Sequence, residues 1–85
     1  MFFVYLLHSI KLERNYVGST NNLRRRLSEH IKGYSRYTSQ SDDWKLKYFK
    51  VFDSENEARL YEQRIKSNKK YRLLFYKEAE GVVPV

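Results

Sequence analysis

The stretch from Asn15 to His30, NYVGSTNNLRRRLSEH, contains the end of a strand, the start of a helix and a group of basic residues. Its first part, YVG at residues 16–18, is aromatic and β-branched and predicts a short strand that ends at the glycine. The next four residues all favour the N-cap, where a side chain accepts a hydrogen bond from the first helical turn. They are Ser19, Thr20, Asn21 and Asn22. A strand followed directly by a capped helix is therefore expected here.

The helix that follows is amphipathic, and its faces separate the three consecutive arginines. Leu23, Leu27 and Ile31 recur at helical spacing, which predicts a buried apolar stripe. Arg26 and His30 are four residues apart and share a face that borders this stripe, while the other two arginines point towards solvent. A solvated basic helix would give this pattern. An arginine at the seam between helix and sheet would give it too, and its planar fork of donors could bind a phosphate.

Strand and helix patterns continue through the rest of the chain. Residues 2–7 are almost continuously apolar, which predicts a strand covered on both faces. Residues 44–52 predict a third strand. The sequence SENE at 54–57 matches a capping box and begins a helix that continues to about Lys66. A final helix is expected over residues 69–77.

These elements predict one small domain. The order β-β-α-β-α-α indicates an α/β (α+β) fold, in which helices flank a small, three-stranded, mainly antiparallel sheet. We expect this domain to cover residues 1–80, and residues 81–85 to form a loosely ordered tail. The whole chain has 85 residues, so its hydrophobic core must be thin.

The composition favours a polyanionic partner. The formal net charge is +7, which makes nucleic acid the first candidate and an anionic membrane surface the second. The chain has no cysteine, which excludes disulfides and cysteine-based zinc sites. No apolar run approaches the roughly 20 residues of a membrane-spanning helix. We expect an intracellular, cytoplasmic protein that does not enter a membrane.

A carboxylate interrupts the apolar face of the second predicted helix. Ala58, Tyr61 and Ile65 mark that face, and Glu62 falls within it. Burying an unpaired charge is costly, so such a glutamate needs a partner. A structural ion pair with an arginine is one interpretation. The other is a metal-binding carboxylate, because Mg²⁺ is often held by only one or two protein carboxylates together with phosphate and water.

Two tyrosines, Tyr5 and Tyr16, lie on neighbouring predicted strands. A buried tyrosine usually belongs to the core, with a partner for its hydroxyl. Here, however, the two tyrosines, the seam pair Arg26 and His30, and Glu62 could all converge on one surface. That joint set also allows a chemical site.

The chain resembles the GIY-YIG nuclease superfamily, whose name refers to two strand motifs about ten residues apart. They correspond to FVY at residues 3–5 and YVG at residues 16–18. The family pattern of leucine, arginine and histidine on the next helix matches Leu23, Arg26 and His30. The later glutamate helix resembles EARLYEQRIK at residues 57–66. The resemblance extends to about residue 70. It is closest to small stand-alone members related to the N-terminal nuclease domain of the bacterial excision-repair endonuclease.

This resemblance implies a divalent-metal-dependent endonuclease that hydrolyses DNA phosphodiester bonds, in DNA repair or recombination. It implies one Mg²⁺ or Mn²⁺ held by Glu62, and an Arg26 that neutralises the phosphate in the transition state. Tyr16 would deprotonate or orient the attacking water, His30 would relay the proton, and Tyr5 would orient Tyr16 or the water.

Two other functions remain compatible with the sequence. The same fold could bind nucleic acid without cutting it, or could serve as a protein-interaction domain without chemistry. DNA binding, with or without cleavage, would use basic residues outside the catalytic set. These are Arg24, Arg25, Lys45, Lys47, Lys66, Lys69, Lys70 and Arg72. A partner protein or a homodimer could supply specificity.

Overall fold

The computed structural model describes residues 1–81 and contains three strands and three α-helices. The strands are β1 (Phe2–Ser9), β2 (Arg14–Thr20) and β3 (Lys45–Phe52), and the helices are α1 (Leu23–Ile31), α2 (Glu55–Ser67) and α3 (Lys69–Glu80). A short 3₁₀ helix, Thr38–Gln40, lies between α1 and β3. The predicted order and fold class are confirmed. Residues 82–85, most of the predicted tail, lie outside the described residues.

The sheet has the order β2-β1-β3, and both pairings are antiparallel. Strand β1 is central, which explains why its sequence is apolar on both faces. Strand β2 is an edge strand, with Gly18 opposite Tyr5 and Tyr16 opposite Leu7. Cross-strand partners share a face, so these four side-chain positions lie on the same side of the sheet.

Helices cover both faces of the sheet and create two separate cores. On one face, Val4 and Leu6 pack with residues of α2 and α3, including Ile65 and Phe75. On the other face, Tyr5 and Leu7 of β1 form the second core. They pack with Leu23 and Leu27 of α1 and with Trp44, which directly precedes β3. Because side chains alternate along a strand, adjacent residues of β1 and β2 belong to different cores.

The helix ends follow the capping signals in the sequence. The Asn22 side chain accepts a hydrogen bond from the backbone N–H of Arg25, and Ser54 caps α2 through the N–H of Glu57. Gly33 has a φ of +80° just beyond α1, a conformation that is readily adopted by glycine.

Three details of the prediction were wrong. Strand β2 continues past Gly18 to Thr20, so Ser19 is a strand residue and not a helix cap. Ile31 is 48% exposed, whereas His30 is fully buried and takes its place beside Leu23 and Leu27. Hydrogen bonds satisfy both ring nitrogens of His30, which makes its burial possible. Helix α3 also continues to Glu80, beyond the predicted end.

Candidate active site

The site residues predicted from the sequence lie on two sides of the edge strand β2. Tyr5, Tyr16 and His30 pack together on the face covered by α1. Glu62 is on α2, which packs on the opposite face. Since β2 has no strand beyond it in the sheet, side chains from the two faces can meet around this edge.

A chain of hydrogen bonds links Tyr5 to His30 and Thr38. The Tyr5 hydroxyl lies 2.7 Å from Nε2 of His30, and Nδ1 of His30 lies 2.7 Å from Oγ1 of Thr38. The Tyr16 ring packs edge-on against His30, with ring centroids 4.9 Å apart. His30 therefore forms a hydrogen bond with one site tyrosine and an aromatic contact with the other.

Burial and charge keep both Tyr5 and His30 neutral. The pKa of Tyr5 is raised well above its ordinary value of 10, first by burial and then by the neighbouring Tyr16, while Arg26 opposes the shift. Burial, together with the positive charge of Arg26, lowers the pKa of His30 to about 4. At neutral pH the Tyr5–His30 pair is thus a contact between an uncharged phenol and an uncharged imidazole.

Gly18 provides the space that Tyr5 occupies. A Cβ at this position would lie too close to the Tyr5 hydroxyl oxygen and ring for both to remain in place. The glycine of the YVG motif therefore serves the packing of its cross-strand neighbour.

Arg26 is the less exposed of the two arginines on α1 that form ion pairs. Its side chain is 30% exposed, against 61% for Arg25, and both lie within 4 Å of the Glu29 carboxylate. The predicted difference between these arginines is confirmed. Arg26 and Ser19 line the same cleft, which is bordered by residues of α1 and α2.

Glu62 is largely covered and has two partners. Ser19 Oγ donates a hydrogen bond to Oε1, and Lys66 Nζ lies 2.6 Å from Oε2. The side chain is 19% exposed. The predicted anomaly is real, but the cation paired with it is a lysine one helical turn along α2 rather than an arginine.

The donor set around Glu62 fits a magnesium-type ion. Among residues 1–81 no cluster of three or more histidine, cysteine, aspartate or glutamate side chains is placed to hold a metal. An ion here would have a single protein carboxylate, with the Ser19 hydroxyl beside it. Mg²⁺ accepts such sites because phosphate and water oxygens complete its coordination.

Lys66 connects the two faces. Its Nζ atom lies 5.8 Å from the centroid of the Tyr16 ring while it contacts Glu62. Arg72 donates to the backbone carbonyl of Lys66 over 3.4 Å, and both border a groove beside Tyr16. The strand edge therefore carries a tyrosine, a carboxylate and two cations close together.

Comparison with known proteins shows the family of this chain. Residues 1–74 match the family model described as the GIY-YIG catalytic domain. The chain belongs to the GIY-YIG family. It is similar to a UPF0213 protein of Clostridium perfringens (strain 13 / Type A), with 38% identity over 78 residues, covering 87% of this chain and 83% of that protein. No solved structure matches the chain significantly.

This GIY-YIG domain has a nuclease-type fold, and family membership indicates an endonuclease family that acts on DNA. Nucleases of this family generally use divalent metals. Within residues 1–81 no helix has both the length and the apolar character needed to cross a bilayer.

The basic residues predicted to bind DNA are distributed over several parts of this GIY-YIG domain. Arg24 and Arg25 are exposed on α1, and Lys66 and Arg72 lie beside Tyr16. Lys69 and Lys70 are exposed in the first turn of α3. Lys45 and Lys47 are on β3, which forms the opposite edge of the sheet from β2.

Sequence reasoning missed two residues in and around the site. The sequence offers Ser19 as one of four possible helix caps. Ser19 is also two residues after the β-branched Val17, so a longer strand would place both side chains on the same face of the sheet. Thr38 lies between the predicted first helix and the third predicted strand, where no element was predicted, and it is fully buried. The partner of Glu62 could have been found, because a glutamate four residues before a lysine is a recognised helical pair.

Proposed function

We propose that this protein is a divalent-metal-dependent endonuclease that hydrolyses DNA phosphodiester bonds. The observation that carries the proposal is the convergence of Glu62, held by Ser19, with the Tyr5–His30–Tyr16 group around one strand edge. Arg26 lines the same cleft as Ser19. A DNA phosphate placed there would lie against Arg26 and beside Ser19, the hydrogen-bond partner of Glu62.

Each side chain has a distinct part in this proposal. The planar guanidinium of Arg26 neutralises the non-bridging phosphate oxygens as charge develops on them. Tyr16 orients or deprotonates the water that attacks phosphorus. Lys66 and Arg72 border the groove at Tyr16.

The proton path in this proposal includes Tyr5. His30 Nε2 is hydrogen-bonded to Tyr5, and its contact with Tyr16 is through the ring. Any proton passed to His30 Nε2 would therefore come through the Tyr5 hydroxyl, its hydrogen-bond partner. Burial raises the pKa of Tyr5, so Tyr5 stays an uncharged phenol at neutral pH. In this proposal Tyr5 therefore orients Tyr16 or the water, and Tyr16 contacts the water that attacks phosphorus.

Glu62 would hold the metal, Mg²⁺ or Mn²⁺, and Ser19 would orient the carboxylate. The bound ion would supply positive charge to the leaving oxygen as the P–O bond breaks. Lys66 would have to release Oε2 for a cation to bind there, since it already contacts that oxygen.

Basic residues near the site and elsewhere on the domain would contact the DNA backbone. We include Arg24, Arg25, Lys45, Lys47, Lys66, Lys69, Lys70 and Arg72 in this binding set. A partner protein or a homodimer would supply target selection or a second cut. An intracellular role in DNA repair or recombination belongs to the same proposal.

A non-catalytic nucleic-acid-binding module is the second candidate. The pairing of Glu62 with Lys66 favours it, because an occupied carboxylate can be purely structural. In that case the charge of +7 would act through backbone phosphates alone.

Nicking of supercoiled plasmid with Mg²⁺ or Mn²⁺ separates the two candidates. We expect the wild type to nick, and Glu62→Gln to lose nicking while DNA binding, measured without metal, is retained. Glu57→Gln is the matched control, since this exposed carboxylate is on the same helix and glutamine also serves in a capping box. Nicking by Glu62→Gln within a few-fold of wild type would reject the metal assignment. DNA binding by a wild type that never nicks would support the binding module.

A further inference from the structure

Thr38 is a fully buried polar residue in an otherwise exposed segment. Its neighbours Tyr37 and Ser39 are exposed, whereas its own side chain is inaccessible to solvent. Buried hydroxyls in proteins are hydrogen-bonded, and this one lies 2.7 Å from Nδ1 of His30. Its backbone carbonyl accepts a hydrogen bond from Trp44 Nε1 over 2.7 Å. The segment is therefore anchored at the point where it contacts His30.

The hydrogen-bond directions around His30 follow from the neighbouring groups. Thr38 Oγ1 lies 3.5 Å from the backbone carbonyl of Ser35, which can only accept. A threonine proton directed at that carbonyl leaves the oxygen to accept from Nδ1–H of His30. A neutral imidazole has one donor and one acceptor nitrogen. Nε2 is then the acceptor, and the Tyr5 hydroxyl donates to it.

The environment of Tyr5 supports the same direction. The positive charge of Arg26 is close enough to Tyr5 to oppose the rise of its pKa, and a guanidinium has donors only. Arg26 cannot accept the Tyr5 proton, which leaves His30 Nε2, 2.7 Å away, as its acceptor. All the polar atoms in this chain of hydrogen bonds are satisfied in one consistent arrangement.

We propose that Thr38 is a positioning residue: its hydroxyl fixes His30 in the tautomer with the proton on Nδ1, so that Nε2 accepts the hydrogen bond from Tyr5. The catalytic consequence rests on the proposed function, in which the Tyr5–His30 pair orients the site beside Tyr16. Thr38 acts through His30 and contacts no substrate. Its role resembles that of other hydrogen-bond partners that set the tautomer of a functional histidine.

Long-range ¹H–¹⁵N correlation of the histidine rings tests the tautomer directly in the free protein. We expect Nδ1 of His30 to be protonated and Nε2 to be unprotonated in the wild type and in Thr38→Ser, which keeps the hydroxyl. Thr38→Val keeps the shape without the hydroxyl, and we expect this pattern to be lost. Ser39→Ala is the matched control, because it removes an exposed hydroxyl that donates to the Arg36 carbonyl, and it should keep the pattern.

Single-turnover nicking measures the consequence. We expect Thr38→Val to nick roughly 10- to 100-fold more slowly, the usual loss when a partner that orients a functional histidine is removed. Thr38→Ser and Ser39→Ala should remain close to the wild type.

Three results would overturn this role for Thr38. They are a wild-type His30 protonated on Nε2, a Thr38→Val protein with an unchanged tautomer, and a changed tautomer with unchanged nicking. The wild-type tautomer of His30 decides the question even if Thr38→Val does not fold. If the wild type fails to nick, the proposed function fails, and the ring spectra still decide whether Thr38 fixes the tautomer.

Discussion

Lys66 Nζ lies 2.6 Å from Oε2 of Glu62 and 5.8 Å from the centroid of the Tyr16 ring. One side chain thus contacts the proposed metal ligand and approaches the proposed water-activating tyrosine. In the proposed reaction a metal and Lys66 compete for the same carboxylate oxygen. Release of Lys66 would leave its positive charge beside Tyr16.

Removing the Lys66 charge should strengthen metal binding. Because a partly exposed ion pair is worth about 1 kcal/mol or less, Lys66→Met should bind Mn²⁺ up to about fivefold more tightly. Electron paramagnetic resonance titration of the free protein measures this affinity. Lys70→Met removes an equal charge from the first turn of α3 and should leave the affinity unchanged. Weaker Mn²⁺ binding by Lys66→Met would mean that Lys66 supports the site rather than competing for it.

The three arginines of α1 should differ in what they contribute. Arg26 is partly covered and lines the cleft with Ser19, so its fork can face the phosphate being cut. Lysine keeps the charge but loses the planar donor geometry. Arg26→Lys should therefore lower the single-turnover rate by roughly 10- to 1000-fold, the scale of one lost transition-state donor.

Arg24→Lys and Arg25→Lys are the matched variants, since both residues are exposed on the same helix. Their nicking rates at saturating protein should stay close to the wild type. Equal rates for all three lysine variants would show that Arg26 is one more surface charge.

Binding to DNA should depend strongly on salt and weakly on sequence. The net charge is +7, and backbone contacts release counterions, so log affinity should fall linearly with log salt by roughly 0.9 per phosphate contacted. Arg24→Ala and Lys69→Ala should each reduce this slope by about one. Lys11→Ala is the control, because Lys11 is paired with Asp42 at 2.8 Å and is outside the proposed binding set. Fluorescence anisotropy over a salt series provides the slopes, and a flat response would contradict an electrostatic mode.

The burial of His30 should make stability depend on pH. Its pKa falls from 6.5 to about 4 on folding, so the unfolded chain binds a proton more readily than the folded one. The contribution is fully present above pH 6.5 and is lost as pH falls towards 4, by up to about 3 kcal/mol in the free energy of unfolding.

Urea unfolding between pH 7 and pH 4.5 measures this effect. His30→Gln should remove most of the pH dependence in this range, whereas His8→Gln should retain it. His8 is the other histidine of the chain, and its ring is hydrogen-bonded to Asn15. A wild-type free energy of unfolding that does not change in this range would show that His30 takes up its proton in the folded state without cost.

The helices and strands could be predicted from the sequence because local signals determine them. The capping box at Ser54 is formed as expected, and the central strand is covered on both faces as its apolar run indicates. The helical wheel also placed Arg26 correctly relative to Arg25. These features depend on residues close together in the chain, where spacing alone carries the information.

The site was predicted less completely because its contacts join distant parts of the chain. His30 is buried through bonds to Tyr5, 25 residues earlier, and Thr38. A histidine with unknown partners reads as polar, so the helical pattern assigns Ile31 to the buried face instead. Ser19 reaches Glu62 across 43 positions of sequence, and no local pattern reports such a pair. On this helix, hydrogen bonding rather than hydrophobicity therefore determines which residue is buried.

The alternation of side chains along β2 has a further consequence. Gly18 is paired with Tyr5 on the α1 face, and the next residue, Ser19, reaches Glu62 on the α2 face. The two halves of the site are therefore encoded by odd and even positions of one short strand. A single-residue insertion or deletion between Tyr16 and Ser19 would exchange the faces and separate the halves, even if the sheet still formed. A two-residue insertion or deletion would preserve the alternation. This part of the strand can therefore change length only in steps of two residues, whereas the turn that precedes it has no such constraint.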